Sequence, residues 1–237
     1  MGKVLTVVIS YFNQSAVLRR HIETWQSYSD EIKNKISFIL VDDCSEISAT
    51  EALRSIDISS LDLELYRVLD DLYCNIAGVR NLGAQQCKTE WMLILDMDTF
   101  VTKELMHGIL ELAEKNESHT AYKFNRVVPE DPIHIKNQVI HPAVCLLKTA
   151  DYWRIGGCEE DLVGNYGYTD PCFFFRARGI VDVKVQENMY LTFDTAGESE
   201  LIRDKSLNKK KYLKYKKRGG WSNKFLNFSW GKVHVIN

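Results

Sequence analysis

Two aspartates one residue apart, Asp96 and Asp98, follow the apolar run Trp91-Met92-Leu93-Ile94-Leu95. Where the backbone turns, carboxylates so spaced bring anionic oxygens to a single cation, and Mg2+ or Mn2+ suits oxygen ligands of this kind. Such an ion keeps positions open for diphosphate oxygens and water. A plainer role exists for the same residues, with Asp98 or Thr99 capping a following helix. Two other polar clusters interrupt the first half of the chain, Ser10-Tyr11-Phe12-Asn13 and Asp42-Asp43-Cys44-Ser45, and each ends an apolar, β-branched run.

Those runs, Val4 to Ile9 and Ile36 to Val41, read as strands buried on both faces of a sheet. Further strands are expected around Leu63 to Val68 and Trp91 to Leu95. Helices are expected from Ser15, a possible cap ahead of Leu18, Ile22 and Trp25 at helical spacing, and near 51–56, 77–88 and 103–116. The alternation predicts an α/β fold, an open, mostly parallel central sheet flanked by helices. Ligands of such sheets sit beyond the carboxyl ends of the strands, where the three polar clusters converge. Neither glycine-rich phosphate loop occurs, so diphosphate charge needs another counterion, and a cation on carboxylates supplies one. Later in the chain, Val139 to Leu147 reads as a strand and 149–155 and 169–178 as helices. The stretch Val127 to Gln138, with its two prolines, reads as a loop.

A length of 237 residues allows one large domain or two small ones; one is expected, 1–204, with residues 1–100 and 101–204 as its two functional halves. A formal net charge of −2 conceals an acidic body and a basic tail: residues 205–237 contain ten Lys/Arg and no Asp/Glu. That tail fits an anionic surface or a solvated extension. Aromatic residues among its lysines (Tyr212, Tyr215, Trp221) are of the kind used to bind single-stranded nucleic acid, but the acidic body speaks against that partner. Six scattered cysteines without metal or disulfide spacing read as reduced thiols, and with no leader or spanning pattern the expected location is cytoplasmic.

Taken in order, Val8-Ile9-Ser10-Tyr11-Phe12-Asn13, Val41-Asp42-Asp43-Cys44-Ser45, Ala77-Gly78-Val79-Arg80-Asn81-Leu82-Gly83-Ala84 and Leu95-Asp96-Met97-Asp98 resemble the family 2 glycosyltransferases of GT-A fold. Ile155-Gly156-Gly157-Cys158-Glu159-Glu160-Asp161 and Tyr166-Gly167-Tyr168-Thr169-Asp170 look like the corresponding segments of related galactosyl- and N-acetylgalactosaminyltransferases. The resemblance covers roughly residues 4–195, and its motifs are specific as a set.

It implies an inverting, metal-dependent transfer from a UDP-sugar to the hydroxyl of a glycan or glycoconjugate. Ser10, Tyr11 and Asn13 are then expected in the base pocket, with Tyr11 packed on the uracil. Asp43 would accept the base N3–H, while Asp42 contacts ribose or braces the loop. Arg80 would lie near base, ribose or diphosphate, or else pair with Asp70 or Asp71 at the surface. Asp96, Met97 and Asp98 would hold the diphosphate side, with Mn2+ or Mg2+ on Asp96 and Asp98. Asp170 is the expected catalytic base, the other reading being an ordinary cap residue before Pro171. Tyr166, Gly157, Glu159 and Glu160 are expected on the acceptor.

Relatives often supply a late His as third metal ligand, whereas Tyr190-Leu191-Thr192-Phe193-Asp194-Thr195 offers Asp194. His141 is a second candidate, though a lone His beside Pro142 also suits a structural role. Two other functions fit parts of the pattern. A nucleotidyltransferase that makes nucleotide-sugars requires a glycine-rich loop after the first strand, which Ser10-Tyr11-Phe12-Asn13 is not. A non-catalytic nucleotide-sugar or glycan-binding module requires no base.

Overall fold

The fold is known from a computed structural model, which describes residues 2–127, 139–194, 202–222 and 224–235. The strands are β1 (Leu5–Tyr11), β2 (Ile36–Asp42), β3 (Leu63–Val68), β4 (Trp91–Leu95), β5 (Thr99–Phe100), β6 (Thr120–Val127), β7 (Ile140–Lys148), β8 (Asp182–Phe193) and β9 (Trp230–Val233). The helices are α1 (Ser15–Gln26), α2 (Asp30–Lys35), α3 (Ala49–Ala52), α4 (Ile76–Gln86), α5 (Lys103–Lys115), α6 (Thr149–Ile155), α7 (Thr169–Ala177) and α8 (Ser206–Arg218).

One sheet runs in the order β5-β8-β6-β7-β4-β1-β2-β3-β9. Its β3-β2-β1-β4 half is parallel, and β7 and β9 close that half on either side as antiparallel neighbours. From β1 the order runs to β2 and β3 on one side and to β4 on the other, so the switch point lies between β1 and β4. A crevice opens there at the carboxyl ends, beside Ser10 and Asp96.

Both faces of the parallel half are covered. Leu5, Val7, Ile9 and Tyr11 of β1 bury against α1 residues Leu18, Ile22 and Trp25, while Val8 faces Val79 and Leu82 of α4. Burial on two sides is why β1, β2 and β4 read as largely apolar runs. Gly83 lets α4 approach that closely: a Cβ there would meet Val8 Cγ1 at 2.3 Å.

Strands 63–68 and 91–95 form as expected, and β1 continues two residues beyond Ile9. Ser15 is not the cap of α1. Gln14 holds that position, and the Ser15 hydroxyl lies 3.0 Å from the Tyr11 hydroxyl instead. The expected loop 127–138 begins inside β6 at Val127, and its remainder lies outside the described residues.

The basic segment 205–237 is no detached tail. Asn208 of α8 is fully buried, its amide donating to the carbonyls of Leu162, Asn165 and Gly167 at 3.0, 2.8 and 2.9 Å. Farther on, β9 pairs with β3 from Leu65↔Val233 to Val68↔Trp230. No helix among the described residues is long and apolar enough to cross a membrane.

Candidate active site

After Leu95 the chain turns through Asp96-Met97-Asp98, with the Thr99 amide on the Asp96 carbonyl at 3.1 Å. Met97 is buried in the core beneath this turn, and its carbonyl accepts from Nε2 of the buried His21 at 2.8 Å. The carboxylates on either side line the cleft. Neither Asp98 nor Thr99 caps a helix, because α5 is capped by Thr102, whose hydroxyl accepts from the Leu105 amide at 3.2 Å.

His141 joins the two aspartates, one ligand atom from each of the three lying within 4.8 Å of the others. Strand pairing brings it near. β7 runs antiparallel to β4 with Ile94 opposite Cys145, so its His141 end extends past the carboxyl end of β4, beside the turn, where it meets Thr99. Two carboxylate oxygens and an imidazole nitrogen suit a divalent first-row cation with sites open for ligand oxygens. The His141 Nδ1 accepts the amides of Ala143 and Val144 at 3.2 and 3.1 Å, and Nε2 lies 3.0 Å from Thr99 Oγ1. On these contacts the neutral ring carries its proton on Nε2, so ligation through Nε2 requires that proton to pass to Nδ1, with the two amide contacts given up, or the ring to turn. Asp194 stands outside this group. Its carboxylate pairs with Arg20, and its amide donates to the Asp98 carbonyl at 2.8 Å, which braces the turn.

The cluster is electrostatically loaded. Burial and the neighbouring charge of Asp96 push the Asp98 carboxyl up to about 6. Burial acts on Asp96 in the same sense, but the Arg80 guanidinium, helped by the Lys123 ammonium, outweighs it and holds Asp96 below the usual carboxylate value. Arg80 does not pair at the surface with Asp70 or Asp71. It is 5% exposed, and its Nη2 and Nη1 donate to Asp96 Oδ1 at 2.8 Å and Asp170 Oδ1 at 2.6 Å. Asp170 is the second residue of α7 and not its cap, a position held by Tyr168 at φ 65°.

At the other end of the cleft, Ser10 and Asp43 face the opening. Asp43 Oδ2 accepts the Asn75 amide at 3.0 Å, and burial, reinforced by Asp42, raises its pKa to about 6. The remaining expected base contacts differ. Tyr11 borders the cleft with no exposed surface: in phase with Ile9 on β1, its ring enters the core, and its hydroxyl donates to the Ile47 carbonyl at 2.8 Å. Asn13 turns its side chain to the Glu46 amide at 2.8 Å, and Asp42 accepts from the Ser45 and Ala49 amides and from Arg67 at 2.8, 2.9 and 3.1 Å. Both brace the loop after β2.

On the acceptor side Tyr166 lines the cleft as expected. Gly157, Glu159 and Glu160 do not. Glu159 is 1% exposed and accepts the Ser222 amide at 3.0 Å. Glu160 accepts Asn81 Nδ2 and the Leu226 amide, each at 2.8 Å, while the Gly157 carbonyl receives Arg176. Glu159 and Glu160 thereby hold the C-terminal segment.

Arg126, Phe193 and Arg203 line the cleft without having been anticipated. Arg126 stacks on Phe193, 4.9 Å from its ring centroid. Arg126 and Arg203 come from β6 and the segment before α8, where no motif marks them, and Phe193 ends β8 in the stretch read only for Asp194.

Residues 6–180 match the model of the family described as glycosyl transferase family 2. The chain belongs to that family. This member is 22% identical over 232 residues to an uncharacterized glycosyltransferase of Haemophilus influenzae, covering 90% of this chain and 75% of the relative. Among solved structures it resembles the mannosyltransferase PcManGT of Pyrobaculum calidifontis, in complex with GDP-Man and Mn2+ (TM-score 0.63, 13% identity, 81% of this chain). It also resembles residues 1–349 of S. aureus TarS in complex with UDP-GlcNAc (TM-score 0.60, 17% identity, 84% of this chain). The family 2 chain spans 57% and 60% of those two structures, and they share its GT-A fold.

Proposed function

We propose that this protein is a metal-dependent, inverting glycosyltransferase that moves a sugar from a UDP-sugar to an acceptor hydroxyl on a glycan or glycoconjugate. The observation that carries the reading is the bridge from Asp96 through Arg80 to Asp170. The same cleft thus holds a carboxylate suited to a cation and one suited to an acceptor proton. Solved relatives holding GDP-Man with Mn2+, or UDP-GlcNAc, support a nucleotide-sugar donor.

In this reading Asp43 accepts the N3–H of uracil, a contact that cytosine, whose N3 is itself an acceptor, does not make. Ser10 borders the same end of the cleft. Asp96, Asp98 and His141 would hold Mn2+ or Mg2+, which supplies positive charge for the departing diphosphate. Asp170 takes the proton from the acceptor hydroxyl as its oxygen attacks the anomeric carbon from the face opposite the diphosphate. Tyr166 offers the acceptor a ring surface, and Arg80 keeps the two working carboxylates in register.

The test is a panel of nucleotide-sugars with Mn2+ and a range of saccharide acceptors, with the anomeric configuration of the product read by NMR. Inverted product from a UDP-sugar, lost in Asp170→Asn, is the expected result. Full transfer by Asp170→Asn, or turnover unaffected by chelation of divalent ions, would overturn the reading.

A further inference from the structure

Helix α8 has two unlike faces. Asn208, Tyr212 and Tyr215 turn inward, where Tyr212 meets the Tyr168 ring at 5.3 Å and Tyr215 the Trp221 ring at 5.1 Å. The opposite side carries Lys210, Lys214 and Lys217 at i, i+4, i+7 spacing, all exposed, with Lys209 beside them. Seven Lys/Arg and no Asp/Glu occupy the thirteen residues of the helix. Among the described residues Lys209, Lys210, Lys214 and Lys217 make no ion pair, although the body of the protein is acidic.

Apolar side chains stand among these charges. Leu213 lies between Lys210 and Lys217 on the outward face and is 53% exposed, and Leu207, one turn before Lys210, is 52% exposed. Ile202, just ahead of the helix, is 72% exposed. Lysines ringing exposed leucines match an anionic bilayer, whose headgroups attract the ammonium groups while the acyl boundary takes up the apolar ones. A soluble polyanion uses only the charges. Nucleic acid is disfavoured further because the rings of Tyr212 and Tyr215 face inward and leave no outward stacking platform.

We infer that the outer face of α8 docks the protein on an anionic phospholipid surface. The helix is also coupled to the cleft. Its Asn208 holds the carbonyls of Leu162, Asn165 and Gly167, and Lys205 lies 5.7 Å over the ring of Tyr166, a cleft residue. Docking would place α8 between the lipid and the 162–167 segment that carries Tyr166. The inference does not depend on the reaction proposed above, and its test is a binding measurement that stands whether or not sugar transfer is found.

The test is cosedimentation of the full chain with vesicles of phosphatidylcholine alone and of phosphatidylcholine mixed with phosphatidylglycerol. Binding is expected on the anionic vesicles only, weakening as salt shortens the screening length. Each lysine at an anionic surface contributes roughly fivefold, so combined Lys210→Glu, Lys214→Glu and Lys217→Glu lowers partitioning by about a hundredfold or more. These side chains are exposed, so the variant keeps the wild-type melting temperature. Leu207→Ser with Leu213→Ser weakens binding at constant charge. Equal binding to both vesicle types, or undiminished binding by the lysine variant, overturns the inference. So does unchanged binding by the leucine variant together with full displacement by heparin, which assigns the face to a soluble polyanion.

Discussion

Arg80 meets Asp170 at 2.6 Å, and the other arm of the same guanidinium reaches Asp96 at 2.8 Å. The cation lies between two carboxylates from distant parts of the chain and is itself almost wholly buried. Removing one member of such a group leaves charge without a partner, at about 3–5 kcal/mol. Arg80→Ala is therefore expected to lower stability by that amount in denaturant titrations. Mn2+ should restore more stability to the variant than it adds to wild type, because an ion at Asp96 replaces part of the missing charge. Equal stabilisation of both proteins would show that the cation does not bind at Asp96.

A second prediction separates the candidates for third metal ligand. Asp98→Asn should abolish Mn2+ binding followed by electron paramagnetic resonance. His141→Ala should weaken it, and Asp194→Asn should leave the affinity within about twofold, since Asp194 pairs with Arg20 instead. Loss of Mn2+ in Asp194→Asn alone would reverse this assignment.

His21 supports the metal-side turn from below. Its Nε2 contacts the Met97 carbonyl at 2.8 Å, and its ring stacks on Phe100 at 4.2 Å. Burial drives its pKa down to about 4, below the ordinary value of 6.5. The unfolded chain therefore takes up this proton first as pH falls. Stability should be fully present above pH 6.5 and decline towards pH 4, by roughly 3 kcal/mol from this residue. His21→Leu should be less stable than wild type at pH 7 by about 1–3 kcal/mol and should lose less on acidification. Denaturant midpoints of both proteins at pH 7 and pH 4.5 measure the difference, and parallel losses would exclude His21 as the source.

Asp43 titrates in a range that matters for donor binding, its carboxyl being pushed up to about 6. Accepting the uracil N3–H requires the ionised form. UDP affinity should thus be level above pH 7 and fall about tenfold per unit well below pH 6, as read by calorimetry. Asp43→Asn should remove that dependence, cost roughly tenfold to a hundredfold in UDP affinity, and narrow the preference for UDP over CDP. An unchanged pH profile in the variant would place the titration elsewhere.

Much of the sheet and part of the site were legible locally. The runs at Leu5–Ile9, Ile36–Val41 and Trp91–Leu95 are largely apolar because helices cover both faces of the strands they form, while Leu63–Val68 keeps Glu64 and Arg67 among its apolar residues. Their polar ends marked Ser10, Asp43, Asp96 and Asp98 as cleft residues. Even Tyr11 was within reach, since in a strand lengthened to Tyr11 the two-residue alternation puts its ring on the side of Ile9, away from Ser10. β6 was missed because it buries polar and charged residues, Lys123 and Asn125, among its apolar ones, and β8 because it is mostly exposed or half-buried and mixes apolar with charged residues.

What the sequence alone determined was therefore the parallel core, the acid pair and the basic stretch, all of them patterns among near neighbours. Tertiary structure decided the partnerships. Antiparallel pairing of β7 with β4 carried His141 past the end of β4 to the acid turn, a buried guanidinium joined Asp96 to Asp170, and Glu159 and Glu160 were drawn away from the cleft to hold the C-terminal segment. Periodicity along a strand or helix follows from residues two to four apart, whereas register and long-range charge pairing follow from how separate elements pack together.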